Sequence, residues 1–331
     1  MATDMKMLVE NFPGQLEEAL AIGKKAKLSG ASSEIKNVII SGLGGSGIGG
    51  TIISELVFDT CPVPVTVTKG YFLPAHADKN SLVIISSYSG NTEETLNCLR
   101  EAVKKGSHVV CITSGGEVER LAKENRLDII LIPGGMPPRS CLGYSLTQLC
   151  FVLVHHRLAP AQLTGDIASS AKLLRERKEE IIAEAKELAG FLNGRTPVIY
   201  STINNEGIAV RFRQQLNENA KVLCWHHVIP EMNHNELVGW AGGSEEYAVV
   251  LFRHHDDYER NRTRIEINKD IISKFTPHIR EVYSEGKSAM EKMFYLVHLG
   301  DWASVFLAAL RDVDAVEVNV INFLKGELAK K

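Results

Sequence analysis

The chain has 331 residues, 44% of them hydrophobic and 23% charged, and a formal net charge of −3 at pH 7. That length suits two lobes of about 150 residues better than one core, and the balance is that of a globular protein. With no net basic field, the composition argues against nucleic acid or an anionic membrane as a partner, and no apolar run approaches the roughly 18 residues expected of a membrane span.

Residues 1–36 are expected to form an N-terminal helical segment. An acid stands early, at Asp4, and no apolar h-region follows, so the start does not read as a secretory signal and the expected compartment is the cytoplasm. Apolar runs of strand length then recur at 37–41, 63–68, 82–87, 108–113 and 129–132. Their unbroken Val/Ile/Leu character suits a parallel sheet covered on both faces, and helical spacing fills the intervals. This series makes a first lobe, 37–158. The stretch 163–192 carries Leu173, Leu174, Ile181, Ile182, Leu188 and Leu192 at helical spacing and is expected to be a connector, set within 159–195. A second series, at 197–202, 220–224, 247–252 and 278–283, makes a second lobe, 196–312, followed by a C-terminal helix, 313–331.

The expected class is therefore α/β, with two doubly wound parallel-sheet lobes joined by a helical connector. A shift of 160 positions pairs Val38 with Val198, Ile39 with Ile199, Ser41 with Ser201, Gly47 with Gly207 and Ile48 with Ile208, which points to internal duplication. The six cysteines (Cys61, Cys98, Cys111, Cys141, Cys150, Cys224) form no CxxC pair, and several sit in apolar runs. They read as core residues, so neither a zinc site nor a redox dithiol is expected.

Two loops carry the chemistry. Ser41-Gly42-Leu43-Gly44-Gly45-Ser46-Gly47-Ile48-Gly49-Gly50 follows the first strand and opens a helix; Gly42, Gly44 and Gly47 satisfy the dinucleotide fingerprint. The fingerprint also wants an acid after the second strand, where this chain has Lys69-Gly70-Tyr71, so NAD is disfavoured more than NADP. The same glycines suit a backbone that approaches an anion at a helix N-terminus, and equally a tight turn with no ligand. The second loop, Ser86-Ser87-Tyr88-Ser89-Gly90-Asn91-Thr92, places the hydroxyls of Ser87, Ser89 and Thr92 at the carboxyl end of the third strand. Alone it could be a capped helix start. Beside Gly45 and Ser46 it reads as a phosphate cradle made of amides and hydroxyls.

With these loops, Pro137-Pro138-Arg139, Asn217-Glu218-Asn219-Ala220-Lys221, Glu231-Met232-Asn233-His234-Asn235-Glu236 and Phe323-Leu324-Lys325 run nearly end to end. In this combination the chain resembles the bifunctional phosphoglucose/phosphomannose isomerase family of the sugar isomerase (SIS) fold. The resemblance implies a sugar-phosphate substrate, interconverted between aldose and ketose without cofactor or metal. It implies Glu218 as the base that moves a proton between C1 and C2, and His234 as a ring-opening acid/base contributed across a homodimer. Arg139 and Lys325 would lie at the substrate oxygens. In this family dual activity goes with a threonine near the C-terminal lysine, and residues 315–325 contain none; isomerisation of glucose 6-phosphate is the activity expected first. The paired histidines His155–His156, His226–His227 and His254–His255 match no such motif and read as structural or surface residues. Other SIS isomerases, a non-catalytic sugar-phosphate sensor and, last, an NADP oxidoreductase are the remaining readings; a sensor would need the loops but not Glu218, His234 and Arg139.

Overall fold

A computed structural model describes residues 4–328 and residue 330. The first apolar series forms β1 (Asn37–Ser41), β2 (Val65–Thr68), β3 (Ser81–Ser87), β4 (His108–Thr113) and β5 (Asp128–Leu131). All are parallel, in the order β2-β1-β3-β4-β5. β3 is the central strand and every one of its seven residues is buried, as its apolar run requires when helices cover both faces. Ile39, Val83, Ile85 and Cys111 pack with Leu96 and Leu99 of the helix Glu93–Lys104 into one core cluster.

The second series forms β6 (Thr196–Thr202), β7 (Trp225–Ile229), β8 (Tyr247–Arg253) and β9 (Ile279–Tyr283), also wholly parallel, in the order β7-β6-β8-β9. The order repeats that of β2-β1-β3-β4, and so does the register. Val38 pairs with Val65 in the first sheet and Val198 with Trp225 in the second, both partners displaced by the same 160 positions. The fold is thus α/β with two doubly wound sheets of one duplicated design.

One strand differs from expectation. The run 220–224 is not a strand: the helix Glu206–Ala220 continues through Ala220, Lys221 turns left-handed, and pairing begins only at Trp225. Histidines 226 and 227 masked the edge strand, because an edge strand buries only part of each residue and tolerates polar ones. Contacts divide the chain into two units. One comprises Glu10–Arg177 with Glu285–Tyr295, the other Lys178–Ser284 with residues 4–9 and 296–328. The segment 163–192 holds two helices, Gln162–Glu176 and Lys178–Leu192, which fall one in each unit.

The expectation that no segment is apolar enough to cross a membrane is corrected by one helix. Ala289–Leu310 has 22 residues, of which an 18-residue stretch has a mean hydropathy of 1.5, but 83% of that stretch is buried inside the protein, so it is a core helix. His298 lies within it, buried, and its Nε2 accepts a hydrogen bond from Trp302 Nε1 at 3.2 Å, which only the neutral ring can do. Burial lowers its pKa from 6.5 to about 3, and burial likewise lowers that of His156 to about 4. Both rings stay neutral in the fold while the unfolded chain takes up protons below pH 6.5. Their contribution is therefore complete above that pH and declines as pH falls toward 3–4. Urea midpoints should show a stability loss of about 2 kcal/mol from His298 alone between pH 7.5 and 5. His298→Gln, which keeps an acceptor for Trp302, should flatten that dependence; an unchanged slope would refute the assignment.

Candidate active site

In a doubly wound sheet, ligands bind beyond the carboxyl ends of the strands where the connections change direction. In the first sheet that point lies between β1 and β3, since the chain passes from β1 to β2 on one side and then to β3 on the other. β1 leads into the helix Gly44–Leu56 and β3 into the helix Glu93–Lys104, so two helix N-termini meet at this edge. Ser46 joins the two loops: its Oγ accepts the backbone N–H of Tyr88 at 3.0 Å. Ser87 Oγ donates to Thr92 Oγ1 at 3.3 Å. Thr92 occupies the N-cap position of its helix, yet its side chain caps no backbone N–H. That is the opposite of the capped-helix alternative. Ser46 and Ser87 are buried, Thr92 is half-buried and Ser89 is exposed, with its Oγ accepting the N–H of Asn91 at 3.3 Å.

Two glycines are required here. Gly90 has φ +68°, and a Cβ on it would lie 1.8 Å from the carbonyl oxygen of Gly115. A Cβ on Gly45 would lie 2.7 Å from the carbonyl oxygen of Pro138 and 3.1 Å from Cα of Arg139. The second contact sets the short 3₁₀ turn Pro138–Ser140 directly against the start of the helix Gly44–Leu56. Arg139 is therefore buried against the glycine-rich turn rather than on an exposed loop.

Tyr88 ties these pieces together, a role that reading the loop by its hydroxyls missed. Its carbonyl accepts Ser114 N–H at 3.0 Å and Ser114 Oγ at 2.6 Å, and its phenol oxygen accepts the N–H of Met136 at 3.0 Å. Met136 lies three residues before Arg139, so the phenol holds the arginine's segment to the cradle. Tyr88→Phe removes that acceptor together with the phenol's hydrogen bond to Cys141. It should cost about 1 kcal/mol of stability and, with Arg139 proposed to act on the substrate, lower kcat about tenfold. Parallel melting and steady-state kinetics check this; parental kcat would show that the phenol does not matter.

Lys69, just after β2, donates from Nζ to Thr51 Oγ1 of the helix Gly44–Leu56 at 2.9 Å. Among the described residues no group of three His, Cys, Asp or Glu is placed to hold a metal ion. Cys111 and Cys224 are pushed up to about 12 by burial, as befits core thiols.

The second sheet has the same switch point, between β6 and β8, but no cradle. Glu206 stands in the first turn of the helix after β6, where its charge opposes an anion. At the end of β8 the buried Arg253 is ringed by Asp257, Glu266 and Glu281. His254 is buried, its Nδ1 hydrogen-bonded with Ser284 Oγ, and His255 stacks on Tyr283. The duplicated halves have thus diverged in what fills their switch points.

Glu218, His234 and Lys325 belong to this second unit. Glu218 is in the last turn of the helix Glu206–Ala220, not beyond it. That helix is fixed by a buried ladder of residues four apart. Arg211 meets Asp301 with two nitrogens, at 3.1 and 2.7 Å; Gln215 Nε2 donates to the same carboxylate at 2.9 Å, and Asn219 Nδ2 to Ser304 Oγ at 2.9 Å. Asp301 is the only charged residue between Lys292 and Arg311, and a lone acid in an apolar helix announces a buried partner.

His234 ends the 3₁₀ turn Glu231–His234 just after β7 and is exposed. Its segment is anchored by Glu236, whose Oε1 accepts from Tyr200 Oη and from Trp225 Nε1 (3.1 Å), while Trp240 Nε1 donates to Tyr200 Oη at 3.0 Å. On the other side Met232 is fully buried and Asn233 Nδ2 donates to Asn268 Oδ1. Within one chain, Glu218 and His234 are not brought together. The helix bearing Glu218 returns from the carboxyl edge to the amino edge of the second sheet, and β7 then crosses back before His234. Five residues of strand separate the two edges, roughly 16 Å. Lys325 is exposed on the helix Asn319–Leu328.

The duplicated parallel α/β fold, with two hydroxyl-rich loops at its first switch point, is that of the SIS class. Residues 33–142 match the SIS domain family, and residues 181–328 the bacterial phospho-glucose isomerase C-terminal SIS domain family. Among solved structures, the C-terminal domain of glucosamine-fructose-6-phosphate aminotransferase from Francisella tularensis superposes with a TM-score of 0.75 at 15% identity, covering 95% of this chain and 98% of that one, a likeness of fold. The bifunctional phosphoglucose/phosphomannose isomerase of Caldicellulosiruptor bescii is 38% identical over 97% of this chain and 98% of its own length. That of Aquifex aeolicus is 37% identical over 89% and 91%. The chain belongs to the bifunctional phosphoglucose/phosphomannose isomerase family.

Proposed function

We propose that the protein interconverts glucose 6-phosphate and fructose 6-phosphate, and that mannose 6-phosphate shares the same site. The observation that carries this reading is the cradle of Ser46, Ser87 and Thr92 between two helix N-termini, in a chain aligned nearly end to end with isomerases of this family. Gly45, Ser46, Ser87, Ser89 and Thr92 hold the 6-phosphate with amides and hydroxyls. His234 opens the sugar ring by acid/base exchange. Glu218 takes the proton from C2 of the open aldose and returns it to C1 of the enediol, giving the ketose. Arg139 and Lys325 hold the enediol oxygens as charge develops on them. Mannose 6-phosphate is the C2 epimer of glucose 6-phosphate and reaches the same enediol, so one base serves both if it can deliver the proton to either face.

The topology supports a homodimer as the working unit. Glu218 and His234 leave opposite edges of one sheet, so a second copy supplies the histidine that its neighbour's base requires. Proton transfer by side chains needs no metal, and the protein is read as a cytoplasmic enzyme. A coupled assay on fructose 6-phosphate, run beside mannose 6-phosphate with and without EDTA, tests the whole reading. Turnover of the first and indifference to EDTA are expected; absence of turnover on both sugars would reject it.

A further inference from the structure

We propose that Lys221 is a positioning residue for the proton-transfer base, clamping the helix end that carries Glu218 to the segment leading into the C-terminal helix. The inference rests on the reading of Glu218 as that base. Lys221 follows the last residue of the helix Glu206–Ala220 and has φ +54°. A Cβ is penalised in that left-handed region, where glycine is the usual occupant. The turn itself is an ordinary one, with the N–H groups of Lys221 and Val222 both reaching the carbonyl of Leu216. Glycine would make the same turn without strain, so the backbone alone does not explain a lysine.

The side chain does. Its Nζ donates to the carbonyl oxygens of Glu218 at 2.7 Å, Asp314 at 2.7 Å and Glu317 at 2.8 Å. An ammonium carries three N–H donors, and three carbonyls from two segments match them. Its charge also sits at the negative end of the helix dipole. Arg311 holds the same helix end, its Nε donating to the carbonyl of Ala220 at 3.1 Å. Asp314 and Glu317 lead directly into the helix Asn319–Leu328, which carries Lys325 and buries none of its own residues. The clamp therefore orders, through one side chain, the backbone turn from which Glu218 projects and the approach to the helix bearing Lys325. Neither segment belongs to the phosphate cradle, so its loss should act on kcat and leave substrate binding alone.

The test compares Lys221→Gly and Lys221→Arg with the parent on fructose 6-phosphate, together with amide hydrogen exchange across 314–328. Glycine suits the turn, so Lys221→Gly should fold and melt near the parent. Its kcat should fall about tenfold or more with KM within about threefold, and exchange in 314–328 should quicken. Arginine keeps the charge and donors and should recover most of the turnover. Parental kcat in Lys221→Gly, or unaltered exchange, overturns the clamp. Should Lys221→Gly melt early, Lys221→Met against Lys221→Arg carries the same decision, since both keep a long stem and only arginine keeps donors. Glu218→Gln is measured alongside. If that variant turns over normally the base reading fails, while the exchange result still decides whether Lys221 holds the C-terminal segment.

Discussion

Glu218→Gln should lower kcat about a thousandfold while KM for fructose 6-phosphate stays within about twofold. The change removes the proposed proton acceptor and keeps the shape, and the ladder from Arg211 through Asn219 continues to hold the helix where it is. Unchanged turnover would remove Glu218 from the mechanism. A second arm tests the proposed dimer. Glu218→Gln and His234→Gln homodimers should each be nearly inactive, yet after subunit exchange the mixture should regain about a quarter of parental activity. Half of the dimers are then mixed, and each mixed dimer has one site with both residues intact. A mixture that stays dead would place both residues of each site on a single chain.

Asp301→Ala should be the most damaging single change to stability, costing about 3–5 kcal/mol. The carboxylate is buried, and its loss takes away the acceptor for two nitrogens of Arg211 and one of Gln215. Desolvated guanidinium without its carboxylate is the costly species, so the double variant Asp301→Leu with Arg211→Met should recover much of the loss. Chemical denaturation of the three proteins checks this. A drop below about 1 kcal/mol in Asp301→Ala would mean that the ladder contributes little. Because the same ladder orients the helix that ends in Glu218, the folded fraction of Asp301→Ala should also turn over slowly.

Much of the architecture was legible because buried parallel strands must be continuously apolar. β3 could be read from Leu82 to Ser87, and the glycine-rich turn after β1 could be read because a close backbone approach excludes side chains. β7 was not legible. Its histidines break the apolar run, and an edge strand needs no such run. The helix end was misplaced for a related reason: Lys221 adopts a conformation that local sequence assigns to glycine, and what stabilises it lies 93 and 96 residues away at Asp314 and Glu317. The apolar helix Ala289–Leu310 shows the same limit, since composition cannot tell a core helix from a membrane one.

For the candidate site, residue type and spacing drew attention to the hydroxyls and glycines of the two loops, since anion binding at a helix N-terminus is local chemistry. Glu218, His234, Arg139 and Lys325 stood out by their joint resemblance to one family. Tertiary structure decided how these residues are held. It placed Arg139 in a buried turn against Gly45, made Tyr88 the tie between the cradle and the arginine, and revealed the ladder to Asp301. It also put Glu218 and His234 at opposite edges of one sheet. The physical reason is common to all of these. A motif states which groups are present within a few residues, whereas the direction in which a buried hydrogen bond is satisfied is set by segments that only folding brings near.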